Sequence, residues 1–173
     1  MWKRGTIVGL TALCAIATGC SSSDSDPEES TGDAPGGDPR TEELFVGECG
    51  SITEDQLTEI TGIRGLASTS QNAVSCRWDS ADTGSYAMFT WYRASPIDRE
   101  RTVAGRIGRE ISTIEADGHP GFTARGNDTS CEAGVENGDG FLHWSVNYVF
   151  SVPSRDVCQV TEALAQATVE NAR

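Results

Sequence analysis

The chain is poor in basic residues and in histidine. Of its 173 residues, 13 are lysine or arginine and two are histidine, against 26 aspartate or glutamate. The formal net charge of −13 argues against nucleic-acid binding, because the phosphate backbone is recognised by clustered positive charge. Lys3 is the only lysine, so every basic residue after Arg4 is an arginine.

Catalytic motifs are also missing from the sequence. It contains no Gly-x-Ser-x-Gly, His-Glu-x-x-His or phosphate-binding loop pattern. His119 lies in a segment rich in glycine and proline, and His143 lies on the polar side of a predicted strand, so we expect both to be exposed. The sequence therefore predicts no enzyme, no cofactor and no metal site.

A hydrolase would need two carboxylates across a cleft. The pairs to consider are Asp79 with Asp82 and Glu132 with Glu136. In a chain with 26 acidic residues such pairs arise by chance, so they carry little weight.

No apolar run is long enough to span a membrane. The longest, residues 7–17, has about eleven residues and follows Lys3 and Arg4, whereas a spanning helix needs roughly 20. This pattern predicts a signal peptide over residues 1–19. Gly19 and Cys20 then resemble a bacterial lipobox, although Ala17 stands where that pattern favours leucine. We expect cleavage before Cys20, a diacylglyceryl group on its thiol and an acyl group on its new amine.

The expected lipid anchor defines location and organisation. Two or three acyl chains hold a protein stably on a membrane, so the protein would be lipid-anchored on the extracytoplasmic face of the cell membrane. Residues 20–43 are acidic and rich in serine, glycine and proline, with no large apolar side chain. This composition predicts a disordered linker, with a root-mean-square span of roughly 25–30 Å. Residues 44–173 are predicted to form a single domain.

The domain alternates helix and strand signals. A capping box at Thr53 and Gln56 predicts a short helix over residues 54–61, ended by Gly62. Ser95 and Pro96 start a second helix that runs to about residue 109 and would pack through Ile97, Ala104 and Ile107, and residues 153–156 open a third. Between them, strands are predicted at residues 75–79, 85–92, 111–116, 122–125, 131–135 and 141–150, with turns at residues 117–121 and 137–140. The order predicts an α+β domain with an antiparallel sheet of about five to six strands and helices packed on it.

The last of these strands has the clearest alternation in the chain. The apolar row is Leu142, Trp144, Val146, Tyr148 and Phe150. The opposite row is Phe141, His143, Ser145 and Asn147. Period-two alternation of this kind is typical of a half-buried antiparallel strand.

Four cysteines remain after the expected processing. They are Cys49, Cys76, Cys131 and Cys158. An even number in an oxidising compartment predicts two disulfides. Three pairings are open, and we favour Cys49–Cys76 with Cys131–Cys158, because each bond would tie a helix start to a neighbouring strand. The absence of Cys-x-x-Cys spacing and of nearby histidine argues against a metal site.

These features resemble an actinobacterial lipoprotein family known as domain of unknown function 3558. The shared features are the lipobox, the acidic linker, Cys49 before a capped helix, Cys76-Arg77-Trp78, the glycine-rich segment 118–121, Cys131, and Cys158 at the head of the last helix. The resemblance covers about residues 44–171. It implies a cell-envelope lipoprotein and carries over no catalytic residue.

Two sets of side chains are candidate binding elements. One is a cluster of arginines in and around the second helix, namely Arg93, Arg99, Arg101, Arg106 and Arg109. It would be either a solvated helix face with intrahelical ion pairs or a surface that meets an anion, such as a wall polymer, a lipid headgroup or an acidic protein. The other is the aromatic set Trp78, Trp91, Trp144, Tyr86, Tyr92 and Tyr148. Most of these should be core, but a sheet face without helices would let some line a sugar- or lipid-binding groove.

The leading hypothesis is a non-catalytic envelope lipoprotein that binds a ligand or partner outside the membrane. The second hypothesis is an accessory or sensor module that contacts another envelope protein through the arginine helix. The third is a hydrolase whose site leaves no motif in the sequence.

Overall fold

The structure is a computed structural model that describes residues 43–172. The predicted signal peptide, Cys20 and the linker up to residue 42 lie outside the described residues. Residues 43–172 contain three α-helices, seven β-strands and one 3-10 turn, Glu48–Ser51. The helices are α1 (Glu54–Thr61), α2 (Ile97–Arg106) and α3 (Val157–Asn171). The strands are β1 (Leu66–Gln71), β2 (Ser75–Ser80), β3 (Tyr86–Tyr92), β4 (Glu110–Ala116), β5 (His119–Asn127), β6 (Ser130–Asn137) and β7 (Gly140–Asn147).

The strands form one antiparallel sheet in the order β1-β2-β3-β7-β6-β5-β4. The predicted α+β class is confirmed, with seven strands instead of five to six. The strand that the sequence did not predict is β1, which lies at the edge and buries only its first residue, Leu66. A strand that is exposed along its length has no reason to alternate apolar and polar side chains, so it leaves no periodic signal.

The main core lies between α3, α1, the 3-10 turn and one side of the sheet, which we call the core face. Trp144 lies at its centre, fully buried, stacked on Trp78 with ring centroids 5.9 Å apart. The indole N–H of Trp144 donates to Thr168 Oγ1 of α3 at 2.9 Å. Burying a tryptophan with its one polar atom satisfied stabilises the contact between helix and sheet.

The helix starts follow the predicted chemistry. Thr53 and Gln56 form the predicted capping box, and Gly62 ends α1 with a left-handed φ of 68°. At α3, the side chain of Asp156 accepts hydrogen bonds from the backbone N–H groups of Cys158 and Gln159. The predicted opening of the last helix at residues 153–156 is therefore confirmed.

Both favoured disulfides are present. Cys49–Cys76 ties the 3-10 turn to β2, and Cys131–Cys158 ties β6 to α3. Each joins residues 27 positions apart, and both lie on the core-face side of the sheet. The two bonds therefore close two separate loops of equal length.

The other side of the sheet is only partly covered. The main contacts of α2 are with β4, β5 and β6, where Ile97 and Ala104 pack against Phe122, Ala124 and Phe141. The remaining side chains of that side on β2, β3 and β7 are half-buried or exposed, and we call this surface the open face.

The strand predicted at residues 141–150 differs from the structure in three ways. Phe141 and His143, expected on a solvated row, are both buried, Phe141 in the small core under α2 and His143 beside Glu132. The strand ends at Asn147, and Phe150, expected on the buried row, is 97 % exposed in the following loop. The apolar row is buried as predicted as far as Tyr148, and Ser145 and Asn147 of the opposite row are half-buried. The prediction was wrong at Phe141 and His143, because periodicity cannot show what packs on the second face of a strand.

The second helix is shorter than predicted. It ends at Arg106, and Gly108 has a φ of 85°, a left-handed conformation that glycine adopts without strain. Ile107, expected to support the helix by packing, is exposed. Arg109 therefore lies in the connection to β4, where it can turn toward the sheet.

The predicted turn at residues 117–121 is also shorter in the structure, because β5 already begins at His119. His119 was expected to be exposed but is half-buried, with Nδ1 3.1 Å from the carbonyl oxygen of Glu136. Within residues 43–172, no helix has the length and apolar character to cross a bilayer.

Candidate functional site: the open face of the sheet

Strand β3 runs through the middle of the open face. Its outward residues Tyr86, Met88, Thr90 and Tyr92 pair with Asn147, Ser145, His143 and Phe141 of β7. Six residues of strand separate the two tyrosines, about 20 Å at 3.4 Å per residue. The open face is thus a shelf with an aromatic ring at each end and Met88, Thr90 and Ser145 between them.

At one end, an arginine is locked between a carboxylate and a ring. Arg77 and Asp79 project from β2, and Arg77 donates from Nε and Nη2 to the two Asp79 oxygens at 2.7–3.1 Å. The Arg77 guanidinium also lies over the Tyr86 ring, 4.0 Å from its centroid. The hydrogen bond from Arg77 lowers the pKa of Asp79, so this carboxylate stays ionised at neutral pH.

At the other end, Tyr92 stacks on Phe141 with ring centroids 4.5 Å apart and meets the edge of His143. Burial, with the nearby carboxylates of Glu100 and Glu132, raises the pKa of Tyr92. Its hydroxyl therefore remains a neutral donor and acceptor over the physiological range. Phe141 belongs to the small core under α2, so this ring pair is held from below.

A buried ionic cluster lies where the open face meets α2. The carboxylate of Glu132 pairs with Arg109, and its Oε2 is 3.6 Å from Nε2 of His143. The His143 side chain is only 7 % exposed, and neither ring nitrogen has a hydrogen-bond partner among the described residues. Burial tends to raise the pKa of Glu132, but its interactions with His143 and Arg109 outweigh this and lower the pKa overall.

This electrostatic arrangement suits binding better than acid catalysis. A general acid needs a carboxyl group whose pKa is raised, as in a pair of carboxylates or an apolar pocket. Here the pKa values of Asp79 and Glu132 are both lowered, each beside its own arginine. The pairs considered from the sequence do not face one another, since Asp82 lies in the turn after β2 and Glu136 lies four residues along β6 from Glu132.

The sequence signal for this cluster lay in the hairpin between β6 and β7. The pairing Asn137↔Gly140 sets Gly134 opposite His143 and Glu132 opposite Ser145. Counting back from the predicted turn would have placed Glu132 and His143 as diagonal neighbours on one face. Nothing in the sequence showed that Arg109 would pair with Glu132.

The arginine cluster predicted from the sequence is not gathered on one surface. Arg93 lies over the Trp91 ring, and Arg101 donates to the carbonyl oxygen of Gly121 and contacts Phe122. Arg109 is engaged by Glu132, whereas Arg99 and Arg106 are exposed on α2. Their role as a binding patch stays a prediction.

The aromatic set divides as the sequence analysis anticipated. Trp78, Trp91, Trp144 and Tyr148 are buried in the main core. Tyr86 and Tyr92 lie on the open face. Among residues 43–172, no group of three or more histidine, cysteine, aspartate or glutamate side chains is placed to hold a metal ion.

Comparison with known proteins places the chain among lipoproteins. Residues 15–171 match the family described as "Protein of unknown function (DUF3558)". The chain is 32 % identical to "Putative lipoprotein LprB" of Mycobacterium bovis over 175 residues, covering 96 % of this chain and 94 % of that protein. It is 29 % identical to the protein of the same name in Mycobacterium leprae, covering 96 % of this chain and 93 % of that protein. No solved structure gives a significant match.

Proposed function

We propose that the chain, which belongs to the actinobacterial lipoprotein family DUF3558, is a non-catalytic, lipid-anchored protein that binds an extended glycan outside the membrane. The anchor is the acylated Cys20, left at the amino terminus when residues 1–19 are removed. The binding surface is the open face. The single observation that carries the binding role is the 20 Å shelf between Tyr86 and Tyr92, supported by the register of β3 and β7.

The chemistry of the shelf favours a sugar polymer over an acyl chain. Aromatic rings offer flat apolar surfaces on which the apolar faces of sugar rings stack. The polar groups between and beside them, Thr90, Ser145 and the Arg77–Asp79 pair, can donate to and accept from hydroxyl groups. A lipid chain would leave the hydroxyl groups of Thr90 and Ser145 without partners, at a cost of about 1–3 kcal/mol for each one buried.

Preorganisation supports the same proposal. Tyr86 is held by Arg77 and Tyr92 by Phe141, so both rings are already oriented in the free protein. A ligand that stacks on fixed rings does not have to order them, and this improves affinity. The lowered pKa values of Asp79 and Glu132 support a binding role, because both carboxylates are acceptors and neither is suited to donate a proton.

The test is direct binding of soluble wall-glycan fragments, neutral and acidic, to the mature chain by isothermal titration calorimetry. The double variant Tyr86→Ala with Tyr92→Ala should weaken binding by about 5- to 150-fold, which corresponds to about 0.5–1.5 kcal/mol for each of the two lost ring contacts. Phe45→Ala is the matched control, because it removes an exposed aromatic side chain outside the open face. Fragments that bind equally well to the double variant and to the wild-type chain would rule out the shelf as the site.

A further inference from the structure

The loop between β7 and α3 exposes two large apolar side chains. Phe150 is 97 % exposed and Val152 is 90 % exposed, the highest values for large apolar side chains among the described residues. Together they present about 300 Å² of apolar surface to solvent. Two large apolar side chains this exposed within three residues make the loop a candidate for contact with another molecule or with a membrane.

A buried serine holds this loop in place. Ser85, fully buried between β2 and β3, accepts a hydrogen bond from the N–H of Val149 at 2.9 Å. Its Oγ also lies 3.0 Å from the carbonyl oxygen of Val149 and 2.8 Å from Oγ of Ser151. Since residues 149 and 151 are fixed from below, Phe150 and Val152 are presented as a preorganised pair.

The backbone conformation of Phe150 is energetically unfavourable for a residue other than glycine. Its φ of 49° lies in the left-handed region, which costs a non-glycine residue about 1–2 kcal/mol. A loop that only had to turn would be better served by glycine or asparagine. Strain and exposure of one aromatic residue together point to a role for the side chain.

The loop lies at the end of the domain opposite the predicted tether. Leu44, where the domain begins, is bonded through its N–H and C=O to the side chain of Asn137, at the turn between β6 and β7. The loop lies at the other end of β7, near the start of α3. The 15 residues of α3 span about 23 Å, and the linker predicted from the sequence over residues 20–43 would have a similar root-mean-square span of about 27 Å. A tether whose span matches the distance gives the highest effective concentration of the second contact.

We infer that Phe150 and Val152 insert into the interface of the same bilayer that holds the lipid anchor, with the exposed side chains of Arg64 and Arg155 meeting the headgroup phosphates. This inference rests on the anchor in the proposed function. Arg64 lines the same small cavity as Val152, about 210 Å³ in volume, and Arg155 follows Val152 by three residues. Apolar side chains flanked by arginine are the chemistry of membrane-surface elements.

The small area of exposed apolar surface on this loop favours a bilayer over a protein as its contact partner. A specific protein interface buries about 600 Å² or more on each partner, about twice what this loop offers. Insertion of two apolar side chains is weak by itself, but the anchor turns it into an intramolecular step. The loop would then be a second point of attachment of the domain to the membrane, in addition to the lipid anchor.

The test uses Phe150→Trp in the acylated full-length mature chain, on phosphatidylcholine–phosphatidylglycerol vesicles with brominated acyl chains. The new indole should emit at shorter wavelength and be quenched by bromine. Phe45→Trp is the matched control, an 80 % exposed phenylalanine near the start of the domain, and should show no quenching above the wild-type background. Adding Arg64→Glu should reduce the quenching of the residue-150 indole when phosphatidylglycerol is present and leave it unchanged on pure phosphatidylcholine.

Two readouts separate this inference from the anchor. Flotation of the acylated chain with vesicles tests the anchor without using tryptophan. The same indole at position 150 in a Cys20→Ser chain, at high lipid concentration, tests the loop without the anchor, and quenching there supports the inference even if flotation fails. Equal emission in brominated and unbrominated vesicles, in both the acylated and the Cys20→Ser chain, would overturn the inference of membrane insertion. The loop would then contact a pocket on another protein.

Discussion

Replacing Cys131 and Cys158 by alanine should lower the free energy of unfolding by about 3.5 kcal/mol. The bond closes a loop across 27 positions. In the loop-entropy description, n = 27 gives a loss of about 12 cal/mol/K from the denatured ensemble, or about 3.5 kcal/mol at 25 °C. For a domain of about 130 residues, that free energy corresponds to a fall in Tm of about 13 °C.

The other disulfide provides a matched comparison within the same molecule. Cys49–Cys76 also spans 27 positions, so its loop entropy is the same. In each bond one cysteine is fully buried (Cys76 and Cys131) and one is half-buried (Cys49 and Cys158), so the packing cost of alanine is similar too. The two double variants should therefore lose equal stability, to within about 1 kcal/mol.

Because the two loops do not overlap in sequence, their contributions should add. Removing all four cysteines would cost about 7 kcal/mol, against a total of roughly 5–15 kcal/mol for a typical domain. We expect the fourfold variant to be largely unfolded at 37 °C. Urea titration of the mature chain, with Cys20 also replaced, measures each free energy through the change in midpoint at constant slope.

Two results would refute this reasoning. One is a loss below about 1 kcal/mol for either double variant, which would mean that the loop is already constrained in the denatured chain. The other is a difference above about 2 kcal/mol between the two variants, which would mean that native packing at the two bonds outweighs the shared entropy.

Three further predictions concern single side chains. Glu132→Gln should reduce the loss of stability that acidification causes below about pH 4.5. The folded-state pKa of Glu132 is lowered, so its ionised form stabilises the fold above that pH, and this contribution is lost as the pH falls. The same dependence of the urea midpoint on pH in both chains would contradict this prediction. Tyr148→Phe should be less sensitive to alkali than the wild type. Burial raises the pKa of Tyr148 to about 12, so its neutral form contributes stability below about pH 10 that is lost as the pH rises toward 12. Alkaline unfolding, followed by absorbance, that is the same in both chains would contradict this prediction. Asn137→Ala should release the start of the domain, because it removes both hydrogen bonds to Leu44, each worth about 1 kcal/mol. Limited proteolysis should then cut faster near residues 43–46. Asn171→Ala is the control, since its side chain bonds to Ser51 instead.

Local chemistry predicted the parts of this fold that depend on neighbours in sequence. The capping box at Thr53 places α1 without reference to the rest of the chain, and the turn at residues 137–140 joins β6 to β7 in the expected place. The pairing of Cys49 with Cys76 was also accessible, since a cysteine before a helix and one in the next predicted strand are natural partners.

The parts that failed depend on distant packing. Strand β1 forms because β2 provides a partner for its backbone hydrogen bonds. Its own sequence is too polar to predict a strand. His143 is buried beside Glu132, which pairs with Arg109, and Arg109 lies 34 positions earlier in the chain than His143. Tyr86 and Tyr92 could be proposed as surface aromatics, but only the sheet order shows that they share one uncovered face.

The clamp between Asn137 and Leu44 has a mechanical consequence for a protein held by its amino end. Drag on the domain would pull on Leu44, and the two amide hydrogen bonds to Asn137 would be the first to break. Peeling would then stop at Cys49, because its covalent link to Cys76 passes the load into β2, inside the sheet. Single-molecule stretching should therefore show an early extension of only a few residues before the sheet itself gives way, and reduction of the disulfide should lengthen that first step.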